Sequence, residues 1–276
     1  MKYILNGKLT SKENATVSVR DLALMRGYGI FDYFRCIGLK PLFIEDHLDR
    51  FFNSAATLRI PMPFSKEEVH QQVLKLIEEN QVMDSTFRLI LTGGYTEESY
   101  EIGEPSLIIY NEPAIEWNMQ AYEKGLKLLT LEYRRDIPEV KTINYLMGIY
   151  QKVRLAEAGA ADVLFHMNGK LSELTRSNFY IVDQNNVIKT AKDDVLLGIT
   201  RKHIKKMVEG KYQFEETDLY LDDLKSAKEV FISGSGKKIV PIRQVEEQVF
   251  NNGKVGEVTK DLIEMFEDYS EAFVRD

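Results

Sequence analysis

Apolar positions along the chain recur with two periods, and each period predicts its own kind of element. Asn6-Gly7 sits between two short apolar stretches, the form of a two-residue hairpin turn within residues 3–9. Residues 15–19 alternate as a strand does, and residues 31–37 are dense in aromatic and β-favouring side chains. Between 45 and 58, Leu48, Phe51, Phe52, Ala55 and Leu58 fall at helical spacing. Ser65-Lys-Glu-Glu68 has the form of a capping box and opens a second predicted helix that ends near Asn80. Strands are predicted over 87–92 and 106–110.

Residues 111–125 carry a proline and the one tryptophan with no clear period, and 116–125 reads as a linker. The first domain is then 1–115 and the second 126–276. The second begins with a strand over 126–133, then a helix over 145–158 ended by Gly159. Hairpins follow around Asn168-Gly169 and between 179–183 and 187–190. A helix over 200–208, strands over 229–233 and 238–242, and a terminal helix over 255–268 complete it. Strands arrive in hairpins and runs, without regular strand-helix alternation, which predicts an α+β fold and argues against a doubly wound sheet.

Composition narrows the function classes. Hydrophobic content of 44% and charged content of 29% describe an ordinary globular protein. A net charge of −7 with no long basic run is unlike a nucleic-acid surface. No apolar run reaches membrane-spanning length, and the first residues lack the form of a signal peptide. Cys36 is the single cysteine, so no intrachain disulfide forms and a cytoplasmic location is expected. His47, His70, His166 and His203 stand singly without metal-ligand spacing, and no metal site is expected.

Several polar residues carry candidate chemistry. Lys141, among Val140, Ile143, Tyr145 and Leu146, suits a partly buried strand end, where a lysine neutral enough to attack forms a Schiff base. Glu173 follows a short apolar strand and offers a carboxylate to a pyridine nitrogen. Gly198-Ile-Thr-Arg201 opens a helix with Thr200 as its cap, so that the Ile199 and Thr200 amides point at an anion. Ser233-Gly-Ser-Gly236 ends a strand and permits close backbone approach to an anion. Arg50, on a helix after His47, presents a guanidinium that grips phosphate. Each has a plainer reading when taken singly: a surface lysine, a solvated glutamate or one paired with Arg176, an ordinary helix start, a flexible turn, a surface arginine. Together they are the parts that pyridoxal 5'-phosphate (PLP) requires: an imine lysine, an acid for the ring nitrogen and a phosphate cup.

The ordered set resembles the fold-type IV PLP enzymes, the group of branched-chain aminotransferases, D-amino acid aminotransferases and aminodeoxychorismate lyase. The resemblance runs through Arg26-Gly-Tyr-Gly-Ile-Phe-Asp32, His47-Leu-Asp-Arg50 with Ser54-Ala55, Arg88 to Gly93, Lys141 with Asn144-Tyr145, Glu173 with Ser177-Asn178, Gly198-Ile-Thr-Arg201 and Ser233-Gly-Ser235. It implies two α/β domains of the D-amino acid aminotransferase-like architecture, a cofactor in the cleft between them, and a homodimer whose second subunit completes the site. Lys141 matches the catalytic lysine and Glu173 the acid on the pyridine nitrogen. Arg50, the Ile199 and Thr200 amides and Ser235 match the phosphate cup, with Tyr145, Ser177, Asn178 and Gly198 also at the cofactor. Arg134 or Arg135 matches an arginine near the cofactor hydroxyl.

The resemblance implies a transaminase exchanging the amino group between an amino acid and a 2-keto acid, with substrate recognition by Arg26, Phe31, Tyr33, Arg88, Ser235 and Gly236. D-amino acids are favoured: Lys141-Thr-Ile-Asn144 and Gly253-Lys-Val-Gly-Glu257 are D-type features. The D-type carboxylate trap of the Arg-x-His form is nevertheless missing from the loop 93–102, so Arg88 or Arg26 is expected to serve in its place. A branched-chain L-amino acid aminotransferase is the alternative, although Asp32 and Tyr33 alter that group's Phe-Glu-Gly-x-Arg pattern. An elimination of the aminodeoxychorismate lyase type is the further alternative.

Overall fold

Asn6 and Gly7 both take positive φ, 49° and 79°, as a tight hairpin turn demands, and the hairpin pairs Leu5 with Lys8 and Lys2 with Ser11. The computed structural model describes residues 1–98, 100–114 and 119–275. Their contacts divide the chain into two units, Met1–Ile115 with Val140–Asn144, and Glu116–Glu139 with Tyr145–Asp276. Of the expected linker 116–125, residues 116–118 lie outside the described residues, and Met119–Lys124 is helical.

The first unit is built on a six-stranded antiparallel sheet. Its order is Lys8–Ser11, Lys2–Leu5, Leu107–Pro113, Asp84–Thr92, Gly29–Ile37, Lys40–Pro41. Side chains alternate across a strand, so Gly29–Ile37 turns Ile30, Asp32, Phe34 and Cys36 to one face and Phe31, Tyr33 and Arg35 to the other. The first set is buried with Phe87, Leu89 and Leu91 of the next strand, and the second is half-buried. Helix Ile44–Thr57 buries Leu48, Phe51 and Ala55, and helix Lys66–Asn80 buries Val69, Val73 and Leu76. The Ser65 hydroxyl accepts from Glu68 N while Glu68 accepts from Ser65 N, the expected capping box.

The second unit holds a nine-stranded sheet in which six strands curl into a ring. Asn178–Val182, Glu229–Gly234, Lys238–Val245, Leu126–Glu132, Asp162–Met167 and Lys170–Leu174 pair in that order, and the pairing of Glu173 with Asn178 closes the ring. The strands at Leu126–Glu132 pair in parallel with both neighbours, and most other pairings are antiparallel. The core inside joins Leu128, Leu164, Leu174, Phe179, Ile232 and Val240.

Several expectations need correction. Residues 15–19 form no strand: Thr16 N bonds Asn14 O and Asp21 N bonds Ser18 O, both turn bonds, and Val17 and Val19 are exposed. Alternation without a partner strand leaves backbone groups unpaired, so it does not suffice. The helix over 145–158 is two, Leu146–Tyr150 and Lys152–Glu157, joined at Gln151. Thr200 is not a cap. Gly198 is the N-cap of helix Ile199–Met207, and Thr200 lies buried in its first turn. The terminal helix runs Glu257–Arg275, and its early amides are capped from elsewhere in the chain: Glu229 accepts from Val258 N and Thr259 N.

Candidate active site

Lys141 lies in no strand, against the expected strand end, and is carried into the first unit by an isolated antiparallel bridge. Phe31 N donates to Lys141 O at 2.9 Å, Ile143 N donates to Gly29 O at 3.1 Å, and Ile30 bridges Thr142. Val140 beside it is buried, as expected, whereas Leu146 is exposed. The Lys141 ammonium lies 4.5 Å from the centroid of the Phe31 ring, on the half-buried face of the sheet.

Tyr33 and Arg88 are register partners on that same face, with Tyr110 on the far side of Arg88. The Arg88 guanidinium lies 5.7 Å from the Tyr33 ring centroid and 5.8 Å from that of Tyr110. Among the described residues no carboxylate pairs with Arg88, and its Nε is buried without a hydrogen-bond partner. A half-buried guanidinium in that state is suited to an anionic ligand. Arg26 is placed differently. It is exposed at the end of the five-residue helix Leu22–Arg26, bonded to Met25 O and stacked 5.1 Å from Tyr100.

The helix-covered face of the same strand holds a network that the sequence reading missed. Asp32 accepts from Arg50 Nε at 2.9 Å and from Arg50 Nη2 at 2.8 Å. His47 Nδ1 lies 2.7 Å from Asp32 Oδ1. Asp32 is 0% exposed and His47 2%. Burial opposes charge on Asp32, yet the Arg50 cation and His47 outweigh it and hold its carboxyl well below the usual range. Burial pushes the His47 imidazole below its ordinary value despite the pull of Asp32. It is therefore neutral near pH 7, with Nδ1–H donating to Asp32. The charge of Lys141 adds to that lowering, which ties the lysine electrostatically to the cluster. The available signal was strand alternation, which puts position 32 on the buried face, where an acid needs a cation.

In the second unit Glu173 is 4% exposed. Arg135 donates to its Oε1 from Nε at 2.7 Å and from Nη2 at 2.5 Å, and Leu196 N donates to Oε2 at 3.0 Å. The partner is thus Arg135 and not the sequence-near Arg176, which is exposed. Arg134 instead reaches Asp194, at 3.4 Å. Asn178, register partner of Glu173, donates from Nδ2 to Leu196 O at 2.7 Å.

Its other side-chain atom explains Gly198: a Cβ there would come 2.1 Å from Asn178 Oδ1. Helix Ile199–Met207 therefore begins without a side chain at its cap. The Ile199 and Thr200 amides, first in the helix, have no partner within it. Ser177 Oγ is buried and lacks a hydrogen-bond partner among the described residues. A bare helix start beside an orphaned buried hydroxyl fits an anionic group such as a cofactor phosphate. Tyr145 is the half-buried residue before helix Leu146–Tyr150. Ser233 Oγ bonds the Tyr180 hydroxyl at 2.7 Å, and Ser235 and Gly236 sit half-buried in the turn before Lys238–Val245.

Lys237, also missed, follows that turn and is 8% exposed. Its Nζ lies 4.0 Å from Asp162 Oδ2, and the Thr175 hydroxyl bonds the same carboxylate at 2.6 and 2.8 Å. Burial lowers the Lys237 pKa to about 8 against the attraction of Asp162, with Arg176 and Lys152 adding to the lowering.

The family model for amino-transferase class IV matches residues 29–245, most of the chain. The chain belongs to the class IV aminotransferases. It is 35% identical to the putative branched-chain-amino-acid aminotransferase of Methanocaldococcus jannaschii, over 97% of this chain and 96% of that one. It is 30% identical to the D-alanine aminotransferase of Staphylococcus aureus strain N315, over 98% of each. Among solved structures, the Escherichia coli branched-chain amino acid aminotransferase superposes with a TM-score of 0.89 at 26% identity, covering 98% of this chain and 94% of that one. The α+β architecture read from the hairpin-rich pattern is that of this class. This class IV aminotransferase contains no group of three or more His, Cys, Asp and Glu able to hold a metal among its described residues, and no described helix is long and apolar enough to cross a membrane.

Proposed function

We propose that this aminotransferase uses PLP to move an amino group between an amino acid, with D-amino acids favoured, and a 2-keto acid. The observation that carries it is Lys141, held by backbone hydrogen bonds to strand Gly29–Ile37 with its ammonium against Phe31, on the sheet face that also presents Tyr33 and an Arg88 without a carboxylate partner among the described residues. Bound PLP supplies the electron sink for the α-carbon. With it bound, Lys141 Nζ would serve as the general base that takes the α-proton from the substrate. Glu173, fixed by Arg135 and Leu196 N, holds the proton on the ring nitrogen. Arg50, the Ile199 and Thr200 amides, Ser177 and Ser235 hold the phosphate. Arg88, with Tyr33 and Phe31, receives the substrate carboxylate, and Gly236 lets the turn approach it.

Transamination of L-branched-chain amino acids is the second reading, favoured by the 35% identity to the Methanocaldococcus jannaschii protein. The same proposal makes the enzyme a cytoplasmic homodimer, in keeping with its single buried cysteine.

D-alanine, D-glutamate and L-leucine, added separately to PLP-loaded protein, decide between the readings. Loss of the bound-cofactor absorbance band with matching keto acid release is expected for the D-amino acids. Loss with L-leucine alone moves the assignment to the branched-chain reading. Release of pyruvate from aminodeoxychorismate, with no response to any amino acid, would sink both. Light scattering at twice the chain mass supports the dimer.

A further inference from the structure

We propose that Asp32 is a positioning residue for the cofactor phosphate, acting through Arg50. The inference rests on the assignment of Arg50 to the phosphate cup. Asp32 stands on strand Gly29–Ile37, one in from the edge of its sheet, on the face covered by helix Ile44–Thr57, which carries both His47 and Arg50. It grips the Arg50 guanidinium along one edge, Nε to Oδ2 at 2.9 Å and Nη2 to Oδ1 at 2.8 Å. This two-point grip fixes the plane of the group and not merely its distance.

His47 fixes the acid in turn. Its Nδ1 lies 2.7 Å from Asp32 Oδ1 and 3.3 Å from Arg50 Nη2. The ionised Asp32 carboxylate only accepts, so the Nδ1 proton points at Asp32, the 3.3 Å approach to Arg50 Nη2 is a contact and not a hydrogen bond, and the ring closes off the carboxylate on that side. Arg50 is left with Nη1, which has no hydrogen-bond partner among the described residues. One edge is spent on a buried acid and one nitrogen with two N–H groups remains. An arginine so held offers its free end to an anion with little rotamer freedom left to lose.

The competing account is that the Asp32–Arg50 pair only stabilises the fold. The two accounts differ in what happens to a ligand that lacks the phosphate. Apo protein is titrated with PLP and with pyridoxal, in the wild type, D32N, R50A and the double variant, following cofactor binding by fluorescence and folding by circular dichroism. We expect D32N to weaken PLP by at least about tenfold while pyridoxal affinity stays within about twofold. R50A should do the same, and the double variant should lose no more than R50A alone, because both residues act through one guanidinium.

Unchanged PLP affinity in D32N, or tighter binding because the guanidinium is released, overturns the inference and leaves the functional proposal standing. Equal weakening of PLP and pyridoxal overturns it in favour of a structural role. Wild-type protein that takes up no PLP overturns the functional proposal and this inference together. Where Asn at 32 does not fold, D32E carries the test: it keeps the charge and shifts the grip by one methylene. The expected result is then a severalfold loss for PLP and none for pyridoxal, and equal losses overturn the inference.

Discussion

Leu196 donates its backbone N–H to Glu173 Oε2 at 3.0 Å, on the oxygen opposite the one that Arg135 holds. Both carboxylate oxygens are anchored, by groups 23 and 38 residues away in sequence. E173Q keeps an acceptor for Leu196 but removes the charge. We expect transamination to fall on the order of 10²-fold or more, with PLP uptake little changed. Stopped-flow half-reactions check this, and an unchanged rate removes Glu173 from the ring nitrogen.

Arg88 sits between the Tyr33 and Tyr110 rings without a carboxylate partner among the described residues. A charged hydrogen bond to substrate contributes about 1.5–3 kcal/mol, so R88A should raise KM roughly 10–100-fold. R88K should recover part of the loss, since it restores charge without the planar fork. Steady-state kinetics with the preferred amino acid decide, and an unaltered KM would make Arg88 structural.

Gly198 has no room for a side chain beside Asn178 Oδ1. G198A must push the helix start or Asn178 aside, which displaces the Ile199 and Thr200 amides. We expect weaker PLP binding together with a thermal midpoint lowered by a few degrees, consistent with about 1 kcal/mol. A variant that binds PLP like the wild type would show that those amides do not hold the phosphate.

Lys237 has a lowered pKa of about 8, where an unfolded lysine keeps its ordinary 10.5. Below pH 8 both states carry the proton, and the cost of a buried ammonium is fully present. Between about 8 and 10.5 the unfolded state binds more protons, so this residue's contribution to stability improves as pH rises. K237M should therefore lose that rise, and denaturant midpoints of the two proteins should converge as pH increases from 8 to 10. Parallel pH profiles would contradict the buried-ammonium account.

Much of the fold was legible because its signals are local. Asn6-Gly7 closes its hairpin, Ser65 and Glu68 form their capping box, and the apolar spacing of Leu48, Phe51 and Ala55 marks the buried stripe of its helix. Residues 15–19 had the strand pattern but no neighbour among the described residues to pair with. The terminal helix continued to Arg275 and took its cap from Glu229, a strand residue far from it in sequence.

The candidate residues divide in the same way. Lys141, Glu173, Arg50 and Gly198 are set by residue type and order, so the amino-acid sequence determined which groups are present and their chemical class. Tertiary structure alone decided their partners: Arg135 and not Arg176 for Glu173, Asp32 and His47 for Arg50, and no acid for Arg88 among the described residues. A side chain's class is a property of its own atoms. Its charge state, direction and freedom are set by groups that only folding brings within a few ångströms, and no pattern along the chain encodes those distances.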